Sequence, residues 1–224
     1  MTETVVFDLD GTLVDTLPDI EAAANAALAA EGRRPLTREE VRQLIGSGGR
    51  VLMKNAFEAT GEPASEARID AAFAAYIAAY EDAPVAGSAP FPGVHDALEG
   101  LSARGTGLAV CTNKPEHLAE LVLETFGLAG YFAGVVAGDT LPVRKPAPEP
   151  LLEAVARAGG AGRPAAMVGD SPIDADAARA ASIPFVAVSF GYSPVPVSAL
   201  GADAVIDRFD ALAAALDGLD GARA

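Results

Sequence analysis

The chain has 224 residues, half of them hydrophobic, and a formal net charge of −15 from 16 basic and 31 acidic side chains. This balance argues against a broad nucleic-acid-binding surface, and any site for an anion must supply its own positive charge. A single cysteine excludes an intramolecular disulfide framework, and the lack of a leader pattern or of a long apolar run predicts a cytoplasmic protein without a membrane span.

The first predicted element is a short buried strand over residues 5–7, which two carboxylates, Asp8 and Asp10, follow at once. Strand side chains alternate with period two, so both carboxylates point the same way at the strand's carboxyl end, where open α/β sheets bind ligands. Two like charges this close are unfavourable unless a cation lies between them or one carboxyl is protonated. A charged turn after a strand would give the same pattern, so the motif needs support from the rest of the chain.

The next strong strand signal lies about a hundred residues later, and the sequence between the two strands is helical in pattern. Ordinary βα connections have a median of about 4–6 residues, so this stretch is not a loop. Helices are predicted over 17–31, 37–45, 50–60 and 65–82, and the second opens on Thr37 with Glu40 three residues on. We expect residues 16–82 to form a helical cap, and 1–15 with 83–224 to form the core, which the chain re-enters through the Pro- and Gly-rich segment 84–93.

Beyond this segment, predicted helices and strands alternate regularly. The strands are expected at 108–111, 135–136, 165–168, 185–188 and 204–206, and the helices at 94–104, 116–126, 148–158, 174–181 and 211–216. Such alternation predicts an α/β fold, a Rossmann-like parallel sheet with helices on both faces.

Four groups of polar residues follow predicted strands or their loops. They are Asp8 with Asp10, Gly11 and Thr12; Thr112 with Asn113 and Lys114; Arg144 with Lys145; and Asp170 with Asp174. In this order, and with the helical insertion after the first strand, they resemble the haloacid dehalogenase superfamily of phosphohydrolases. That superfamily has an Asp-x-Asp-Gly-Thr motif, a Thr or Ser, a Lys and a Gly-Asp-x-x-x-Asp motif, and the resemblance covers the whole chain.

The resemblance implies covalent phosphoryl transfer. Asp8 would attack phosphorus and become an aspartyl phosphate, and Asp10 would protonate the leaving alcohol and then take a proton from water. Family dehalogenases lack an acid at the position of Asp10, so attack at phosphorus is favoured over attack at carbon. The implied Mg²⁺ ligands are Asp8, the backbone carbonyl of Asp10, and Asp170.

Other roles in the site also follow from the resemblance. Asp174 would orient a metal-bound water or Lys145, although an acid that caps a helix would look the same in sequence. Thr112 would donate to a phosphoryl oxygen, and Lys145 would hold both Asp8 and the phosphate. Residues implied to contact substrate are Gly11, Thr12 and Asn113. For Lys114 and Arg144 the sequence leaves two alternatives open, a role in the site or a position as a surface charge.

The predicted cap contains a glycine-rich turn, Gly46-Ser47-Gly48-Gly49-Arg50, between two of its helices. Its glycines permit close approach of the backbone, and Arg50 would grip an anion bidentately; a flexible turn with a solvated arginine is the alternative. With the sequences around residues 112, 145 and 170, this turn resembles bacterial phosphoglycolate phosphatases in particular.

That resemblance implies a Mg²⁺-dependent phosphatase, a monomer or homodimer, that acts on a small phosphorylated metabolite such as 2-phosphoglycolate. A phosphomutase of the β-phosphoglucomutase type and a broad-specificity sugar or nucleotide phosphatase are the alternatives on the same fold. The mutase cap pattern contains a tryptophan, and this chain has none. A non-catalytic binding protein is disfavoured because the motifs are intact.

Overall fold

The computed structural model describes residues 2–83 and 85–221, so Met1, Pro84 and residues 222–224 of the predicted core lie outside it. The strands are β1 (Thr4–Phe7), β2 (Val14–Asp15), β3 (Ala89–Pro90), β4 (Gly107–Cys111), β5 (Gly134–Val136), β6 (Ala165–Gly169), β7 (Phe185–Val188) and β8 (Ala204–Ile206). Within the described ranges, a six-stranded sheet runs in the order β5-β4-β1-β6-β7-β8. Its neighbouring strands are all parallel.

The helices agree closely with the predicted ones. They are α1 (Leu17–Ala30), α2 (Arg38–Leu44), α3 (Gly49–Thr60), α4 (Glu66–Asp82), α5 (Val94–Ala103), α6 (Glu116–Thr125), α7 (Pro148–Arg157), α8 (Pro172–Ala180) and α9 (Leu212–Gly221), with 3₁₀ turns at Ala129–Tyr131, Val197–Ala199 and Phe209–Ala211. No helix in this part of the chain has both the length and the apolarity needed to cross a membrane.

Helices cover both faces of the sheet, as the predicted fold class requires. Val5 and Phe7 of β1 pack into one apolar cluster, with side chains from α5, α6 and α9. Val6, which lies between them, packs into a second cluster with side chains from α7 and α8. This separation follows from the period-two alternation of strand side chains, and it places β1 at the centre of the core.

The helices α1 to α4 pack around an apolar cluster of their own, which includes Ala24, Leu28, Met53 and Phe57. Each such side chain, fully buried, stabilises the fold by about 1.5–3 kcal/mol for residues of the size of Leu, Met or Phe. The predicted N-cap at Thr37 is confirmed, because its hydroxyl accepts from the Glu40 N–H while the Glu40 carboxylate accepts from the Thr37 N–H.

Some local structure differs from the prediction. The helix expected from residue 174 begins at Pro172, because Ser171 caps it and the proline occupies its first turn. The last helix begins one residue later than expected and continues to Gly221. A short antiparallel ribbon of β2 and β3 lies where the chain leaves the core for the helical insertion and returns from it. Strands of two residues give too short a pattern to be recognised in sequence.

Candidate active site

The predicted functional residues meet at the carboxyl ends of β1, β4 and β6, because those strands are adjacent in the sheet. A cavity of about 40 Å³ lies there, between the sheet and the helical insertion. Its sheet side is lined by Asp8, Asp10, Thr112, Asn113, Lys114, Asp170 and Ser171, and its other side by Gly46, Gly48, Gly49, Leu52 and Tyr76.

Asp8 is 7% exposed, at the end of β1. Its Oδ1 accepts a hydrogen bond from the Leu9 N–H at 2.7 Å and lies 3.0 Å from the Lys145 Nζ. Burial raises the pKa of the Asp8 carboxyl to about 7, and the Lys145 ammonium opposes that shift. A cation close to Asp8 therefore favours the ionised form, which is the nucleophilic one.

Lys145 links Asp8 to Asp174. Its Nζ lies 2.6 Å from the Asp174 Oδ1, and its side chain is 1% exposed. Burial alone lowers the pKa of Lys145, but the carboxylates of Asp174 and Asp8 outweigh burial, so the pKa is raised above its usual range. Lys145 is therefore a permanent positive charge beside Asp8.

Asp174 combines the two roles that the sequence left open, since it caps a helix and also contacts Lys145. Its Oδ2 accepts from the Ser171 hydroxyl at 2.6 Å and from the Ser171 N–H at 3.1 Å, which completes the capping box of α8. Its Oδ1 contacts the lysine. The start of α8 therefore fixes the position of the ammonium relative to Asp8.

Asp170, at the end of β6, is held by two other segments of the chain. The Thr12 hydroxyl donates to its Oδ1 at 3.1 Å, and the Tyr192 N–H donates to its Oδ2 at 2.6 Å. Gly11 adopts a left-handed φ of 82°, and a Cβ there would lie only 2.6 Å from the Asp170 Oδ2. The structure thus gives Gly11 and Thr12 contacts with Asp170, where the sequence predicted contacts with substrate.

The carboxylates of Asp8, Asp170 and Asp174 each offer an oxygen within 4.8 Å of the others. Burial, with the negative charges of Asp174 and Asp8, raises the pKa of Asp170 well above its usual range. The three carboxylates carry more negative charge than the Lys145 ammonium compensates. Carboxylate oxygens in such a site suit a hard divalent cation. Asp174 accepts four hydrogen bonds, from Lys145, from the Asp170 N–H and from the N–H and hydroxyl of Ser171. Each Asp170 oxygen accepts one and Asp8 accepts from Leu9 and contacts Lys145, so Asp8 and Asp170 are the better placed ligands.

Asp10 faces the cavity from the other side and contacts Lys114. The Lys114 Nζ lies 3.0 Å from the Asp10 Oδ1, and the Thr16 hydroxyl donates to the same oxygen at 2.6 Å. The Lys114 ammonium also lies 4.4 Å from the centre of the Tyr80 ring. Lys114 is only 5% exposed, so it belongs to the site, whereas Arg144 is exposed.

Thr112 and Asn113 follow β4 and line the cavity, as expected from their place after a strand. The Thr112 hydroxyl accepts from the Lys114 N–H at 3.2 Å, which leaves its own proton free to donate. The Asn113 amide donates to the backbone oxygens of Gly46 and Lys145 at 2.9 and 3.0 Å. Asn113 therefore ties the glycine-rich turn of the helical insertion to the sheet side of the site.

Arg50 is a predicted substrate ligand whose side chain the structure directs away from this cavity. Its guanidinium donates to Asp70 at 2.7 Å and to Glu66 at 2.6 Å, both on α4, and it does not line the cavity. The residue lies in the first turn of α3, one residue after the helix begins, but its side chain points toward carboxylates on the neighbouring helix. The structure therefore gives Arg50 a contact within the helical insertion in place of the predicted contact with substrate.

Comparison with known proteins connects this site to a family. Residues 5–188 match the model of the haloacid dehalogenase-like hydrolases. The chain is 44% identical over 211 residues to a phosphoglycolate phosphatase of Agrobacterium fabrum, which covers 94% of this chain and 91% of that protein. It is 44% identical over 216 residues to one of Rhodospirillum rubrum, with coverages of 95% and 90%.

A solved structure agrees with the sequence relatives. The crystal structure of a predicted phosphoglycolate phosphatase from Haemophilus somnus superposes with a TM-score of 0.88 at 30% identity, over 95% of this chain and 97% of that one. The match includes the helical insertion as well as the sheet, so the resemblance and the fold class predicted from sequence are confirmed. The chain is an enzyme that belongs to the haloacid dehalogenase-like hydrolase family.

Proposed function

We propose that this hydrolase is a Mg²⁺-dependent phosphatase of small phosphate monoesters in the cytoplasm, with 2-phosphoglycolate as its best substrate. The observation that carries the proposal is the pairing of Asp8 with Lys145 at the end of β1, with Asp10 also facing the cavity. The printed names of the sequence relatives support the choice of 2-phosphoglycolate. In this proposal residues 16–82 are a cap over the core formed by 1–15 and 83–224.

In the first chemical step, an Asp8 carboxylate oxygen attacks phosphorus and the bond from phosphorus to the ester oxygen breaks. Asp10 gives its proton to that leaving oxygen, so an alcohol departs and an aspartyl phosphate remains. The Lys145 ammonium, 3.0 Å from Asp8, stabilises the negative charge on the transferred group. The Thr112 hydroxyl is available to donate to a phosphoryl oxygen.

In the second step, water attacks the phosphorus of the aspartyl phosphate and Asp10 takes its proton. The bond between phosphorus and the Asp8 oxygen then breaks, which releases phosphate and restores the carboxylate. Thr16 and Lys114, both in contact with Asp10, hold its carboxylate toward the reacting water. The residues act in the same places in both steps, so no rearrangement of the sheet end is required.

Asp8, Asp170 and the backbone carbonyl of Asp10 would hold the Mg²⁺ ion. When bound, the ion supplies positive charge that neutralises the phosphoryl oxygens and the buried carboxylates. Before Asp10 takes up the proton that it donates in the first step, the ionised forms of Asp8, Asp10, Asp170 and Asp174, set against Lys114 and Lys145, leave a formal charge of −2. A divalent ion compensates this charge, and the site then accepts an anionic ester despite the acidity of the whole chain.

The size of the cavity favours a small ester. About 40 Å³ is room for roughly three water molecules, at about 10–15 Å³ for each. The leaving group of 2-phosphoglycolate has a single carbon between its oxygen and its carboxylate, so it needs much less space than the leaving group of a hexose phosphate. Phosphate release from a panel that includes 2-phosphoglycolate and glucose 1-phosphate tests this; a higher kcat/KM for the sugar would contradict it.

Removal of divalent ions is expected to lower kcat by at least about 100-fold, because several kcal/mol of charge stabilisation in the transition state disappear. Phosphate release is measured before and after EDTA treatment and after addition of Mg²⁺. EDTA saturated beforehand with Mg²⁺ is the control for effects of the chelator itself. Activity that is indifferent to EDTA would remove the metal from the mechanism.

The Arg50→Ala substitution is expected to change KM by less than about twofold for both 2-phosphoglycolate and p-nitrophenyl phosphate. The reason is that Arg50 is paired with Glu66 and Asp70 at the surface, and exposed ion pairs contribute little. Steady-state kinetics with both esters make the measurement. A large rise in KM for the carboxylate-bearing ester alone would restore Arg50 as a substrate ligand.

A further inference from the structure

The Tyr76 side chain, on α4, lines the cavity on the side opposite the sheet. The residue is only 4% exposed, and its hydroxyl makes no hydrogen bond with any other residue of the described ranges. Burial raises the pKa of Tyr76 above its usual range, so the hydroxyl remains a neutral donor. Because Tyr76 lines the cavity, this hydroxyl is available to donate to a ligand bound there.

Lys114 also lines this cavity, from the sheet side. Its ammonium contacts the two Asp10 carboxylate oxygens at 3.0 and 3.4 Å, and it lies over the Tyr80 ring. An ammonium has three N–H donors, so these contacts leave capacity for a further anion. Because Asp10 acts at the ester oxygen in the proposed mechanism, an anion bound by Lys114 must lie close to that oxygen.

The glycine-rich turn brings the start of α3 against Tyr76. A Cβ at Gly49 would lie 2.9 Å from the rings of both Phe73 and Tyr76, so only glycine allows this approach. Gly48 adopts a φ of 90°, and no side chain caps the N–H groups of the first turn of α3. The positive end of the helix therefore faces the same cavity as Tyr76 and Lys114, and it favours a negative charge there.

We infer that Tyr76 and Lys114, beneath the N-terminus of α3, bind a carboxylate at the non-phosphoryl end of the substrate. This inference rests on the proposed phosphatase function and names the residues that determine its specificity. It assigns the enzyme to phosphate esters of short hydroxy acids, since the contact of Lys114 with Asp10 requires the carboxylate to lie within a few bonds of the ester oxygen. Arg50, bound to two carboxylates on α4, has no part in this subsite.

The test compares 2-phosphoglycolate with ethyl phosphate, in which a methyl group replaces the carboxylate. Tyr76→Phe is expected to lower the ratio of their kcat/KM values by about 10- to 100-fold, the range for loss of a hydrogen bond to a charged group. Tyr131→Phe is the matched control, because it makes the same chemical change in the 3₁₀ turn Ala129–Tyr131, and Tyr131 does not line the cavity. It should leave the ratio within about twofold.

Equilibrium binding separates this inference from the proposed function. Calorimetry measures the binding of 2-phosphoglycolate to three proteins: the inactive Asp8→Asn variant and the two double variants that add one of the phenylalanine substitutions. Relative to Asp8→Asn alone, only the double variant with Tyr76→Phe should bind more weakly, by about 10-fold or more. Equal effects of the two substitutions, or none from Tyr76→Phe, would overturn the subsite. If the unmodified enzyme hydrolyses neither ester, the proposed function fails, and the titration still decides whether these residues bind the carboxylate.

Discussion

Asp8→Asn is expected to lower kcat by at least about 10⁴-fold and to leave the protein folded. An amide oxygen is a poor nucleophile, so the first step of the proposed mechanism cannot form its covalent bond. The fold should tolerate the change, because Lys145 keeps its contact with Asp174 at 2.6 Å. Removing one of three close, buried carboxylates also reduces their mutual repulsion.

The measurement is phosphate release by the purified variant, together with its urea unfolding midpoint. The midpoint should equal that of the unmodified enzyme or exceed it. Asp82→Asn, which makes the same chemical change at an exposed position on α4, should retain full activity. Hydrolysis by the Asp8→Asn variant at more than about a hundredth of the normal rate would contradict covalent catalysis by Asp8.

Lys145→Met is expected to reduce both activity and stability. The variant leaves Asp8, Asp170 and Asp174 buried together without the ammonium that contacts two of them. Removing one partner of a buried ion pair costs about 3–5 kcal/mol of unfolding free energy. The loss of charge stabilisation at the phosphoryl group should lower kcat by about 100-fold or more.

Urea unfolding with and without Mg²⁺ measures the effect on stability. Because the ion would supply the missing positive charge, Mg²⁺ should raise the unfolding midpoint of Lys145→Met more than that of the unmodified protein. Lys54→Met, which removes an exposed lysine from α3, is the matched control and should change neither midpoint nor kcat. An unfolding midpoint that is unchanged in Lys145→Met would show that the three carboxylates do not depend on this ammonium.

Much of the fold could be predicted because its signals are local. The apolar run at residues 5–7, the capping pair Thr37 and Glu40, and the alternation after residue 94 each depend on neighbours in sequence. Functional side chains that directly follow strands can also be located from sequence, because the parallel strands of one sheet end at the same edge. That is why Asp8, Thr112 and Asp170 are together in the structure as expected.

The parts of the site that sequence did not reveal depend on tertiary packing. The sequence leaves Lys114 open as a possible surface charge, but in the structure it is 5% exposed and contacts Asp10 and the Tyr80 ring. Tyr76 has the same helical spacing as the apolar residues around it, so nothing local separates a cavity residue from a core residue. Tyr192 lies in a loop more than a hundred residues from Asp15, to which its hydroxyl donates.

Arg50 shows the opposite case, in which a local signal was present and the packing overrode it. An arginine at the start of a helix after a glycine-rich turn is typical of anion sites. The structure instead places Glu66 and Asp70 within 2.7 Å of it, one turn apart on α4. These acids are 16 and 20 residues away from Arg50 in sequence. The ion pairs between the two helices therefore could not be predicted from the sequence of the turn.

The most direct test is the detection of a phosphoryl group on Asp8 itself. In Asp10→Asn, p-nitrophenyl phosphate should still phosphorylate the enzyme, because its leaving group needs no acid, while the second step lacks its base. After an acid quench and borohydride reduction, peptide mass spectrometry should find homoserine at position 8, with one equivalent of p-nitrophenol released in a burst. Phosphorylation at another residue, or steady release of p-nitrophenol with position 8 unchanged, would contradict the mechanism.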